Sequence, residues 1–174
     1  TPGLLTLIAP RHPERGEQIA ALVRGAGLNA TLRSEGALPD GATDIYVADT
    51  MGELGLIYRL APVVFIGGSL VPHGGQNPIE AAKLGAAIVH GPHVANFAEI
   101  YSALGAALGA ETLGDGERLT AALGALLAQP QARERVASAA RRTVEGLGGA
   151  LERTLYALDP YLMQMQLRQQ DEHA

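Results

Sequence analysis

Short apolar runs alternate with segments of helical period along this chain. "LLTLIA" (residues 4–9) is apolar on both sides and predicts a buried strand. "EQIAALVRGAG" places Ile19, Leu22 and Val23 on one helical face and stops at a glycine, which predicts a helix. "NATLR" and "TDIYVA" predict the second and third strands, and "DTMGELGLIYRLA" a short helix after them. "PVVFIGG" is a fourth strand, and "NPIEAAKLG" predicts a helix after a glycine-rich loop. "AAIVHG" is a fifth strand, with "NFAEIYSALGAALG" helical behind it. A weaker sixth strand falls near residues 110–113. From Gly116 the pattern is helical to the end, interrupted at "AQPQ" and "LDPY".

Strands apolar on both sides and separated by helices predict a parallel sheet covered on both faces. The expected fold is therefore a doubly wound α/β domain with a helical C-terminal tail. Residues 1–146 form the domain and residues 147–174 the tail. Asp159 with Pro160, and Pro130, are candidate helix starts. In the tail, Leu147, Leu151, Leu155, Leu158 and Leu162 recur at three- and four-residue steps, a stripe suited to packing. The stripe either covers the domain's own sheet or meets a partner.

Composition narrows the function. The chain has 174 residues, 47% hydrophobic and 18% charged, enough for one domain with a core. Its 22 glycines are nearly twice the number expected from an average usage of about 7%. The absence of cysteine excludes disulfides and thiolate metal sites. The net charge of −5, with no basic cluster interleaved with aromatics, argues against a nucleic-acid polymer as partner. The longest uncharged run, Leu60 to Ile79, holds three prolines, four glycines and the polar His73, Gln76 and Asn77. Lipid could not satisfy those groups, so this is not a membrane span. The chain opens without Met and enters a strand almost at once, which reads as part of a longer protein.

Ligands of such sheets sit beyond the carboxyl ends of the strands. That selects three loops, residues 10–15, 48–53 and 67–77. In "GGSLVPHGGQNPIE" glycines allow sharp backbone turns, Asn77 is a good N-cap, Pro78 suits the first helical turn, and Glu80 stands three residues after the cap. A bare rim of amides before a helix favours an anion, yet the same pattern fits an ordinary capped helix on a long loop. "ADTMGEL" repeats the logic: Thr50 and Glu53 have capping-box spacing. Arg11, held between prolines in "APRHPERG", could pair with a phosphate or carboxylate. No GxGxxG or P-loop lysine pattern is present, and His73, His90 and His93 lack metal-ligand spacing, so no metal is expected.

Together "PRHPER", "DTMGELGLIYRLAPVVFIGGSLVPHGGQNPIEAAKLG" and "GPHVANFAEIY" resemble the carboxyl-terminal half of bacterial 3-deoxy-D-manno-octulosonic acid (Kdo) transferases, over essentially the whole chain. The resemblance implies a Rossmann-like domain, the C-terminal half of a B-type glycosyltransferase, lacking its first strand–loop–helix unit. It implies transfer of Kdo from CMP-Kdo to the lipid A precursor in lipopolysaccharide biosynthesis, at the cytoplasmic face of the bacterial inner membrane, without a cofactor or metal. CMP contacts would fall on Pro10 and Arg11, on Gly52, Glu53 and Leu54, and on Asn77, Pro78, Ile79 and Glu80. Gly68, Ser69 and Gly75 would shape the rim or touch the sugar acid. The catalytic carboxylate base, the acceptor surface and the membrane anchor belong to the amino-terminal domain of the family, so no catalytic residue is expected here and the chain alone should be inactive. Gln76 stands where many relatives have His. The rival readings are a UDP-sugar transferase or epimerase domain and a non-catalytic nucleotide-binding module.

Overall fold

The structure is a computed structural model that describes residues 3–114, 116–149 and 154–161. It is α/β and Rossmann-like. Six strands, β1 (Thr6–Ile8), β2 (Ala30–Leu32), β3 (Ile45–Val47), β4 (Val63–Ile66), β5 (Ala87–His90) and β6 (Ala110–Thr112), all fall on segments that the apolar pattern predicts. Between and after them lie helices α1 (Gly16–Gly25), α2 (Leu54–Leu60), α3 (Ile79–Lys83), α4 (Ala98–Ala106), α5 (Glu117–Ala128) and α6 (Pro130–Gly146). Pro130 opens α6, where its missing N–H is no loss.

The strands do not form one sheet. They divide into two parallel three-stranded sheets, in the orders β1-β3-β2 and β4-β5-β6. β1 gives its inner rungs to β3: Thr6 N–H donates to Asp44 O at 3.0 Å and Ala48 N–H to Ile8 O at 2.8 Å. β4 does the same with β5, where Ala87 N–H reaches Pro62 O at 3.1 Å. Among the described residues, nothing pairs with the outer edges of β1 and β4. Burial follows. β5, flanked on both sides, is buried at every residue, whereas β1 is only part-buried and β4 buries only Ile66. Strands this apolar, left half-covered, are edge strands with the sequence of interior ones.

The second sheet holds most of the core. Side chains alternate across β5, so Ile88 packs with Ile66, Ala82, Leu104 and Val144 while Val89 packs with Leu113, Leu126 and Ala137. Gly109 lets the chain into β6 pass against α6: a Cβ there would lie 2.7 Å from the backbone nitrogen of Ala140.

The first sheet has a smaller core, Ala20, Leu32 and Val47, with Ile19 packed on it. Here the expected helix face is corrected. Ala20 sits against the sheet, and Leu22, two residues on and about 200° around the helix, is 69% exposed.

Two further expectations change. The chain is helical at 154–161, through Asp159 and Pro160, with no break at "LDPY". A proline there removes one backbone bond, and this stretch is exposed throughout, so water can take up the freed carbonyl. The described leucines of the stripe are not covered by the domain's own sheet: Leu147, Leu155 and Leu158 are all exposed, while Leu151 and Leu162 lie outside the described residues. No helix among the described residues is long and apolar enough to cross a membrane.

Candidate functional site

The register Ile8↔Val47 brings the ends of β1 and β3 side by side. The loops that leave them touch at Gly16 and Asp49, where a Cβ on Gly16 would lie 2.3 Å from Asp49 Oδ2. Only glycine allows α1 to start this close to a carboxylate. Asp49 is buried and accepts from Ser34 N–H at 2.8 Å and from Ser34 Oγ–H at 2.6 Å. Burial works against its charge, yet the Ser34 hydrogen bonds hold its pKa below the usual carboxylate value.

Glu53 is held in a similar way. Arg33 donates to it through Nε at 3.0 Å and Nη2 at 3.0 Å, in a forked pair, and Thr50 Oγ–H donates to Oε2, the oxygen that also accepts from Nε. The Arg33 and Thr50 hydrogen bonds lower its pKa. This corrects the expected capping box. Thr50 bonds the Glu53 side chain instead of a helix amide, α2 starts at Leu54, and Glu53 itself occupies the cap position without a side-chain cap bond. Gly52 turns the loop at φ +85° and is exposed, as is Leu54.

The glycine-rich loop after β4 is pinned at both ends. By the register of β4 and β5, Gly91 N–H would donate to Ile66 O as the next rung of the ladder. Ser69 Oγ stands in that rung: it accepts from Gly91 N–H at 2.8 Å and donates to Ile66 O at 2.5 Å. The hydroxyl thus spreads the strand ends and anchors the loop between them. Ser69 is fully buried, and a Cβ on Gly91 would lie 2.2 Å from Ser69 O, so this approach also requires glycine. Further on, Gly75 N–H donates to Gly68 O, His93 N–H to Ser69 O and Asn96 N–H to Gly74 O. Gly68 and Gly75 have φ of +68° and +72°, the left-handed turns that let the loop close on itself. At its far end Tyr101 Oη–H donates to Gln76 O at 2.8 Å. A shallow cleft of about 550 Å³ lies beside the loop, lined by His73, Gly74, His93 and Asn96 among others.

After the loop, Asn77 Oδ1 accepts from Ile79 N–H at 2.9 Å. The side chain therefore caps as expected, on the amide two residues ahead, with the helical Pro78 buried between. Glu80 does not return to the Asn77 amide. It is exposed, and its Oε1 lies 3.3 Å from where a Cβ on Gly55 would stand, which places it against the first turn of α2. The three loops are thus linked in a chain of contacts: Gly16 to Asp49, and the residue-50 loop through α2 to Glu80. The side chains of Arg11 and Glu80 have no hydrogen-bond or ion-pair partner among the described residues, and Pro10 is part-buried at the base of Arg11.

Sequence reasoning missed Asp49, Arg33, Gly91 and Tyr101. Gly91 stood in a loop segment quoted whole, and Asp49 directly before the Thr50–Glu53 pair, so adjacency was a usable signal for both. Arg33 and Tyr101 lie 20 and 25 residues from the atoms they hold, where spacing gives no sign.

No family model matches the chain. Curated relatives do. The chain is 39% identical over 162 residues to the 3-deoxy-D-manno-octulosonic acid transferase of Haemophilus influenzae, covering 92% of the chain and 38% of the relative. It is 39% identical over 166 residues to that of Bordetella pertussis, covering 93% and 38%. A probable mitochondrial transferase of the same name from Arabidopsis thaliana is 35% identical over 161 residues, covering 90% and 36%. The chain thus spans under two fifths of the length of these relatives. Among solved structures, the C-terminal CMP-Kdo binding domain of WaaA from Acinetobacter baumannii superimposes with a TM-score of 0.78 at 34% identity, over 81% of this chain and 74% of that one. Its sequence and fold agree on one assignment: the chain belongs to the 3-deoxy-D-manno-octulosonic acid transferase family, as a carboxyl-terminal domain of that family.

Proposed function

We propose that the chain binds the CMP portion of CMP-Kdo, as the donor half of a B-type glycosyltransferase that passes Kdo to the lipid A precursor. The observation that carries this is the match in fold and sequence to a CMP-Kdo binding domain. The site chemistry supports it. CMP-Kdo has one phosphate and a ribose. Arg11, free of any carboxylate among the described residues, suits the phosphate, together with the backbone N–H of Glu80; Pro78 has none to give and that of Ile79 is taken by Asn77. No metal is needed for that charge. Glu80, exposed and unpaired, suits the ribose hydroxyls. In the full-length protein, an amino-terminal domain would supply the catalytic base, the acceptor surface and attachment to the cytoplasmic face of the inner membrane. A strand–loop–helix unit from upstream would complete the sheet between β1 and β4. This chain alone would not transfer Kdo.

Calorimetry on the full-length protein tests the reading. CMP should bind and UMP or UDP should compete poorly. Glu80→Gln should weaken CMP several-fold with the melting temperature nearly unchanged. Arg11→Ala should weaken CMP and leave cytidine nearly unaffected. Preference for UDP would favour a UDP-sugar enzyme, and unchanged CMP affinity in Glu80→Gln would remove Glu80 from the site.

A further inference from the structure

We propose that Tyr101 is a positioning residue for the donor site: its buried hydroxyl holds the Gln76 carbonyl and so fixes the segment from Asn77 to Glu80. The inference rests on the donor-binding reading for what that segment binds, and goes beyond it by assigning what sets the segment's geometry.

Tyr101 stands on α4 and is 4% exposed. Its ring packs with Ile66, Ala81, Ala82 and Leu104 and lies against the His90 ring, centroids 4.4 Å apart and tilted by 52°. His90 is itself locked. Its Nδ1 is 2.7 Å from Gly91 O and its Nε2 is 3.2 Å from Thr112 Oγ. The tautomer that fits carries its proton on Nδ1, donates to the carbonyl and accepts from the threonine. The phenol is therefore a stiff rod rooted in the core. Burial pushes its pKa well up, with the Glu-facing Tyr58 adding to the effect, so the hydroxyl stays protonated and donates.

A buried tyrosine hydroxyl needs a partner. This one reaches out of the core to a loop carbonyl, 25 residues away in sequence and one peptide before Asn77. Among the described residues Tyr101 is that carbonyl's hydrogen-bond partner, and no backbone amide shares it. The orientation of the Gln76 peptide sets where Asn77 begins. Asn77 in turn receives the Ile79 amide, and Pro78 between them is buried and fixed. The other end of the loop is already held by Ser69. Without the hydroxyl, one end of the loop keeps its anchor and the end that enters the donor segment loses it.

Tyr101→Phe in the full-length protein removes the hydroxyl and keeps the ring in the core and against His90. The expected result is a CMP affinity about fivefold weaker at 25 °C, the central net worth of one neutral hydrogen bond. Faster amide exchange at residues 77, 79 and 80 should accompany it. A merely structural role would lower the melting temperature without touching affinity at 25 °C, where the variant remains folded. CMP affinity within twofold of wild type, with unchanged exchange at those amides, overturns the role of Tyr101 and leaves the donor reading standing. A wild-type protein that does not bind CMP overturns both.

Discussion

Ser69→Ala is the sharpest test of the frame under the site. Ser69 Oγ fills a rung of the β4–β5 ladder, and the substitution deletes two hydrogen bonds at once. Gly91 N–H and Ile66 O are then left facing each other across a gap the size of a hydroxyl. Each buried group left without a partner costs about 1–3 kcal/mol. Direct closure of the rung would recover part of this. It is resisted because the loop backbone already touches Gly91, with Ser69 O 2.2 Å from where a Cβ on that glycine would lie. The expected loss is therefore about 2–4 kcal/mol, a large share of the roughly 5–15 kcal/mol that holds a domain folded. Urea unfolding of the full-length protein reads it as a lower midpoint at unchanged slope. A change below about 0.5 kcal/mol would refute the inserted-rung account. If donor affinity fell while stability held, Ser69 would be a contact to the sugar acid and not part of the frame.

Two further outcomes follow from the fold. Burial lowers the His90 pKa below its ordinary value near 6.5, so the folded state binds this proton less readily than the unfolded one; stability is fully present above that value and should be lost as pH falls below it toward the folded pKa, and the melting-temperature slope between pH 7 and 5 should shrink in His90→Asn. If an upstream strand completes the sheet between β1 and β4, the outward amides of Leu7 and Phe65 should exchange quickly in this 174-residue chain and slowly in the full-length protein; equal exchange in both would rule that strand out.

Most strands were legible because they are short apolar runs, β1, β3, β4 and β5 above all, a property of the segment itself, while β2 and β6 carry polar residues and gave weaker signals. Their division into two sheets was not legible, because it depends on which strands are neighbours. "LLTLIA" and "PVVFI" have the composition of interior strands and nevertheless stand at edges. The face of α1 was misread for a related reason. Periodicity grouped Ile19, Leu22 and Val23, but the small residue Ala20 sets the closest approach to the sheet and turns Leu22 outward. The loop glycines announced sharp turns, and Gly68 and Gly75 do turn at positive φ. What the sequence could not announce is that the loop is stiff. Its anchors come from Gly91 and Tyr101, on elements after it.

The two glutamates of the site show why local spacing misleads. Glu53 and Glu80 stand near the starts of α2 and α3, and each has the spacing of a helix-capping acid. The structure gives them different surroundings. Glu53 is clasped by Arg33 and Thr50, its charge answered and its position fixed. Glu80 lies exposed against α2, its carboxylate without a hydrogen-bond partner among the described residues. An anion arriving between the loops would otherwise meet two carboxylates. The Arg33 clasp neutralises one of them; on the donor-binding reading it spares the phosphate that repulsion, and the guanidinium, already committed to Glu53, is not drawn to the ligand in its place. On the donor-binding reading, Glu53 then contributes through backbone and loop geometry, and Glu80 is the carboxylate left for the ribose. On that reading two residues alike in motif divide into frame and contact, and the residue that separates them, Arg33, lies 20 positions from the glutamate it clasps.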